Sequence, residues 1–315
     1  MKEGIVVKEM YENTKLFILN NYNGVLDENI LDILTVSFMS LFIRFPYVTK
    51  DKMPYVLNKL EMFFDNKTVL KMVTSKYPTY PTKNITNRTN GLVVRALNTN
   101  DPDNIDEEWT MFISTSNMNT DLVNIIGWCV HEFIHLLRFN GIVNGLNEVK
   151  VRDGVSVARC NKERPLVKRK HYCLEEGIVE YFAIQSLDSL YEFIKNENVS
   201  FSRSLSIYKK RYQKDFKAAY ELERFFLDGL NKDKKFAELL EYTFIDTSDP
   251  LMLITYYNNI LSDSSAFSTL SRELDEIVEL AERDKANDFK VRFDQLVVQI
   301  NEFLKKAHGK QEYPI

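Results

Sequence analysis

The 315-residue chain contains four histidines, and two of them stand in one pentapeptide, His131-Glu132-Phe133-Ile134-His135. On an α-helix, residues i and i+4 leave the same face about one turn apart. Two neutral imidazoles so arranged can hold one zinc ion. The carboxylate between them is then placed to take a proton from a water that the metal polarises. The rival reading, two hydrogen-bonded core histidines, suits a lone histidine better than a pair with a glutamate between them.

This chemistry requires a helix, and the flanking residues predict one. Thr120 and Asp121 suit an N-cap and first turn. Leu122, Ile126, Cys129, Phe133 and Leu136 then recur at steps of four and three, the stripe of an amphipathic helix. Asn140-Gly141 would end it, with Gly141 as a left-handed C-cap. The histidines lie off the stripe, on the side of Trp128 and Arg138, so one face should enter a core and another face a cleft.

A catalytic zinc needs three protein ligands and one open position. Downstream, Cys173-Leu174-Glu175-Glu176-Gly177-Ile178-Val179-Glu180-Tyr181 reads as the start of a second helix with acids in its first turn. Together the two segments resemble the gluzincins, zinc metallopeptidases with an HExxH helix and a glutamate ligand on a following helix. In their second motif the ligand glutamate precedes a small residue, and another carboxylate follows four residues on. Glu176-Gly177 with Glu180 fits that frame; Glu175 fits it less well, because Val179 stands four residues after it. The resemblance implies one catalytic Zn2+ on His131, His135 and Glu176, with Glu132 as general base and Glu180 accepting from a ligand imidazole. Gly177 would let the two helices approach closely, and Glu175 reads as negative charge favourable at a helix N-terminus. The resemblance also implies a zincin-like core, in which the strand before the HExxH helix pairs with an extended substrate. Residues 109–115 take that role, with Phe112, Ile113 and Ser114 as substrate-binding residues. Gly91–Leu97 reads as a neighbouring strand.

From His135 to Glu176 is 41 residues, a longer gap than in the best-known gluzincins. Alternation on either side of Asp153-Gly154 predicts a β-hairpin. Lys162–Lys170 reads as a basic loop, either solvated or a rim that attracts acidic substrates. His171 and Tyr172 follow directly, and either could donate to the oxyanion of a tetrahedral intermediate. Tyr181, Tyr242, Tyr256 and Tyr257 are rivals for that role. A third downstream histidine of the metzincin kind is absent, as is an aminopeptidase signature, which tilts the reading to an endopeptidase.

The elements that must position these groups are mostly helical. The predicted class is α+β, predominantly helical, with a small sheet. A mainly helical region spans 1–90, a catalytic core 91–195, and a helical region 196–315 forms the other side of the cleft. Residues 27–45 and 51–65 are expected to be helices and 76–90 and 98–107 loops. Phe289, Phe293, Leu296, Ile300 and Phe303 form the core-facing stripe of the last helix. Hydrophobic residues at 44% and charged residues at 27% are those of a globular protein. A net charge of −4 gives no argument for nucleic acid or an anionic membrane. Three cysteines make no disulfide framework; Cys160 and Cys173 flank the basic loop. No signal peptide or membrane span is legible, so the expected compartment is the cytoplasm and the expected partner a peptide or protein substrate. Two other readings share the motif: a proteolytic effector acting inside a target cell, and a non-catalytic zincin-like binding protein.

Overall fold

The computed structural model describes residues 3–65, 69–76, 91–97, 107–114, 122–144, 148–153, 156–161, 164–170, 172–194, 227, 229–245, 251–282 and 286–310. The fold is α+β and predominantly helical. Its contacts group into two units, residues 1–137 with 182–214 and residues 138–181 with 215–315.

The first unit opens with helices α1 (Glu3–Asn21), α2 (Glu28–Arg44) and α3 (Pro46–Lys59). Asp27 caps α2, its carboxylate accepting from the Ile30 amide at 3.0 Å. Glu28 in the first turn and Arg44 in the last suit the helix dipole. Pro46 starts α3 at a position where a missing N–H is harmless. The middle of α2 is buried, including Thr35, Ser37 and Ser40. Their hydroxyls donate to the carbonyls of Leu31, Ile33 and Ser37, so these small residues enter the core without unsatisfied polar groups. The apolar run from Ile30 to Phe45 is therefore a core helix. Among the described residues no helix is long and apolar enough to cross a membrane.

Strand β1 (Leu60–Asp65), helix α4 (Val69–Lys76), and strands β2 (Gly91–Leu97) and β3 (Glu107–Ser114) follow, then helix α5 (Leu122–Leu137). The sheet order is β1-β3-β2, with β1 parallel and β2 antiparallel to β3. Two expectations change here. Residues 60–65 are a strand rather than the end of a helix: a short apolar run fits either period, and pairing with β3 decides. Phe63 lies opposite Phe112 in the register and stacks on it at 5.4 Å. β3 is the central strand, so Phe112, Ile113 and Ser114 cannot offer a free edge. Phe112 and Ile113 are each 1% exposed, and Ser114 pairs with Asp65. The antiparallel edge is β2. The expected loops at 76–90 and 98–107, and the cap at Thr120-Asp121, lie almost wholly outside the described residues.

The second unit contains a four-stranded antiparallel meander of β4 (Phe139–Asn144), β5 (Glu148–Asp153), β6 (Ser156–Asn161) and β7 (Arg164–Lys170). Asp153 opposite Ser156 closes the hairpin predicted at Asp-Gly. The segment expected as a basic loop pairs with β6 as strand β7. Gly141 lies within β4 rather than capping α5, and the β4–β5 register shifts between Phe139 and Gly141. Helix α6 (Tyr172–Ile194) begins in this unit, and its residues from Phe182 onward belong to the first.

Helices α7 (Lys234–Ile245), α8 (Leu251–Leu261), α9 (Ala266–Glu282) and α10 (Ala286–Lys310) complete the second unit. The expected stripe of α10 holds in its second half: Leu296, Ile300 and Phe303 are buried, whereas Phe289 and Phe293 are half-buried. Phe303 packs against Tyr257 at 4.6 Å and Phe236 at 5.6 Å. Asp233 caps α7, accepting from the amides of Lys235 and Phe236.

Candidate metal centre

Helix α5 is buried nearly all round. Ile126, Cys129, Val130, Phe133, Ile134 and Leu137 are each 0% exposed, whereas Leu122, at the start of the predicted stripe, is 50% exposed. Phe133 packs edge-on against Phe38 of α2, ring centres 4.6 Å apart. Burial, and then the Glu132 charge, push the Cys129 thiol up, while Ser37 hydrogen-bonds it. Cys129 is thus a neutral packing group rather than a ligand. Asn124, Trp128, His131 and His135 stay partly open, at steps of four, three and four. That spacing makes a single helical stripe, and both histidines stand on it. The helix ends with the Lys52 ammonium of α3 donating to the Leu137 carbonyl at 2.9 Å. A cation on the last carbonyls takes the place of the predicted glycine cap.

The two imidazoles converge, with Nε2 atoms 3.2 Å apart and rings inclined at 68°. His131, His135 and Glu176 each offer one ligand atom, all lying within 4.8 Å of one another, and each residue is partly buried. Zinc bonded tetrahedrally at about 2.0–2.1 Å separates its ligand atoms by about 3.3 Å. The histidine pair already has that spacing, and the Glu176 oxygen lies within 4.8 Å of both. Two nitrogens and one carboxylate oxygen are also a donor set that zinc accepts.

Glu132, next to His131 in the chain, is 7% exposed. It lies against Gly91, the first residue of β2: a Cβ built at Gly91 would come within 2.7 Å of Glu132 Oε1. The missing side chain makes room for the carboxylate at the sheet edge.

The adjacent glutamates of α6 have different surroundings. Glu175, expected as favourable surface charge, is 2% exposed and grips Arg138 with both oxygens, at 2.5 Å to Nε and 2.9 Å to Nη2. Arg138, expected on the open face of α5, is 0% exposed. Glu180 is buried at 4% exposure one turn further along α6, and Gly177 is buried beside Glu176. The Cys173 amide, in the first turn of α6, donates to Asp275 of α9 at 2.9 Å. The Cys173 side chain is buried.

His171 and the side chain of Tyr172 lie outside the described residues. The rival tyrosines have other positions. Tyr181 donates to Asn231, and Tyr256 donates to Asp233. Tyr257 is buried against Phe303, and Tyr242 is 44% exposed. Sequence reasoning missed Gly91, Asp275 and the pairing of Arg138. Only the last left a signal, an arginine three residues past the second histidine that needs an acid if buried.

No protein-family model, curated protein or solved structure matches this chain.

Proposed function

We propose that the chain is a zinc-dependent peptidase of the gluzincin kind, built on a zincin-like core. The observation that carries this reading is the convergence of His131, His135 and Glu176 within 4.8 Å, on the stripe of α5 adjacent to Glu132. These three residues would hold the ion. Bound zinc would supply Lewis acidity, drawing the pKa of a water towards neutrality and polarising a carbonyl.

The chain's own groups do the rest. Glu132 accepts the proton of the attacking water on its carboxylate and later delivers it to the leaving amine. Its burial beside Gly91 fixes the direction of that carboxylate and limits competing water. Glu180 holds a ligand imidazole in one tautomer. An extended peptide pairs by backbone hydrogen bonds along β2, whose side away from β3 is unpaired among the described residues. Such pairing tolerates many sequences and suits an endopeptidase. His171 or Tyr172 donates to the developing oxyanion.

The test is cleavage of a peptide library with and without chelator, with Glu132→Gln as control. Wild type should cleave and lose activity on chelation. Glu132→Gln should keep its zinc and lose about 10²–10⁴-fold in rate, the usual worth of a general base. Full activity in that variant removes Glu132 from the mechanism. A chain that binds one zinc and cleaves nothing is a metal-binding protein without this activity.

A further inference from the structure

We infer that the buried Arg138–Glu175 ion pair is the positioning element of the metal site, aiming Glu176 at the histidines and withholding Glu175 from them. The inference rests on the metal site proposed above but not on the reaction assigned to it. Arg138 stands three residues after His135, one residue beyond the end of α5, and Glu175 stands immediately before Glu176. The pair therefore joins the chain just past one ligand to the chain just before another, across 37 residues of sequence.

Its geometry suits that task better than it suits stability. The guanidinium presents Nε and Nη2 to the two carboxylate oxygens, at 2.5 and 2.9 Å, and the side chains are 1% and 2% exposed. Buried ion pairs lose so much hydration that apolar replacements are often as stable. A two-point fork does fix the carboxylate plane, and with it the rotation of the helix that carries the carboxylate. Successive helical residues point about 100° apart, so holding Glu175 on Arg138 sets the direction in which Glu176 leaves α6. The Asp275 carboxylate on the Cys173 amide pins the same turn two residues earlier. The fork also removes a rival: Glu175 has the same ligand chemistry as Glu176, and its bonding to Arg138 engages both of its oxygens.

Two variants test this. Arg138→Met/Glu175→Leu removes both charges of the pair together. Arg138→Lys keeps the charge and loses the fork. Each is purified and checked for folding by circular dichroism and thermal unfolding. Zinc affinity is then measured by competition with a chromophoric chelator, and site geometry by the visible spectrum of bound Co2+. The expected result is native folding in both, with zinc affinity about 10–100-fold lower in the double variant, as for other groups that orient ligands. Arg138→Lys should be intermediate, and the Co2+ bands should change in both. Wild-type affinity and spectrum in a folded double variant would overturn the inference. Should the double variant not fold, unchanged affinity and spectrum in Arg138→Lys would overturn it as well. A wild-type chain that takes up no zinc would overturn this inference together with the metal site, whereas zinc uptake without peptide cleavage would remove only the peptidase reading.

Discussion

The two helices that carry the proposed ligands share apolar burial but differ in the polar contacts added to it. Helix α5 is held by apolar contact: Ile126, Cys129, Phe133 and Ile134 are wholly buried, and Phe133 meets Phe38 edge to face. The start of α6 also buries Leu174, Ile178 and Val179, and adds charge and hydrogen bonds, Arg138 on Glu175 and Asp275 on the Cys173 amide. Apolar packing is strong and tolerant of small rotations; a bidentate ion pair adds little net stability and tolerates almost none. The histidines thus come from the stable element and Glu176 from the oriented one. Loss of apolar packing in α5 should unfold the protein, whereas loss of the polar contacts at the start of α6 should leave the fold and loosen the site.

The widest separation between the two is expected from Phe133→Ala. Loss of a buried aromatic ring costs about 3–5 kcal/mol, a large part of an ordinary domain's stability. Urea unfolding should show it, with zinc uptake falling only as the folded fraction falls. Asp275→Ala should cost about 1 kcal/mol in the same experiment, the usual worth of a helix cap, yet weaken zinc in fully folded protein. Equal loss of stability in both variants would erase the distinction. Lys52→Met should be the mildest, about 0.5–1 kcal/mol from a cation at a helix C-terminus. It should leave zinc affinity unchanged, because Lys52 supports the end of α5 through the Leu137 carbonyl. A drop in zinc affinity there would mean that the end of α5 also needs polar aim.

The same contrast explains what could be read from the sequence. Periodicity reports apolar burial, so α2, α5, the strand at 91–97, the start of α6 and the stripe of α10 were legible. The ligand-type residues were legible because i, i+4 spacing translates directly into one helical face. Long-range polar pairing leaves no periodic trace, so Asp275 with Cys173 and Lys52 with Leu137 were invisible, and Arg138 with Glu175 left only an arginine that needs an acid if buried. Sheet order was also beyond reach. Residues 60–65 carry an apolar run that fits a helix or a strand, and only their pairing with β3 moved the free edge from residues 109–115 to β2. The strands at 139–144 and 164–170 failed for a related reason: glycine and asparagine in one, lysine and arginine in the other, mask alternation that neighbouring strands supply.

The meander between the two proposed ligand helices has a consequence for how the chain reaches this state. Closing a featureless loop of that length would cost entropy before any ligand contact could form. Here, among the described residues, β4 to β7 each pair only with a sequence neighbour, so the intervening chain can collapse through short-range steps of the kind that fold fast. Its two ends would then be near one another before Arg138 meets Glu175, and the ion pair would have only a short search left to complete.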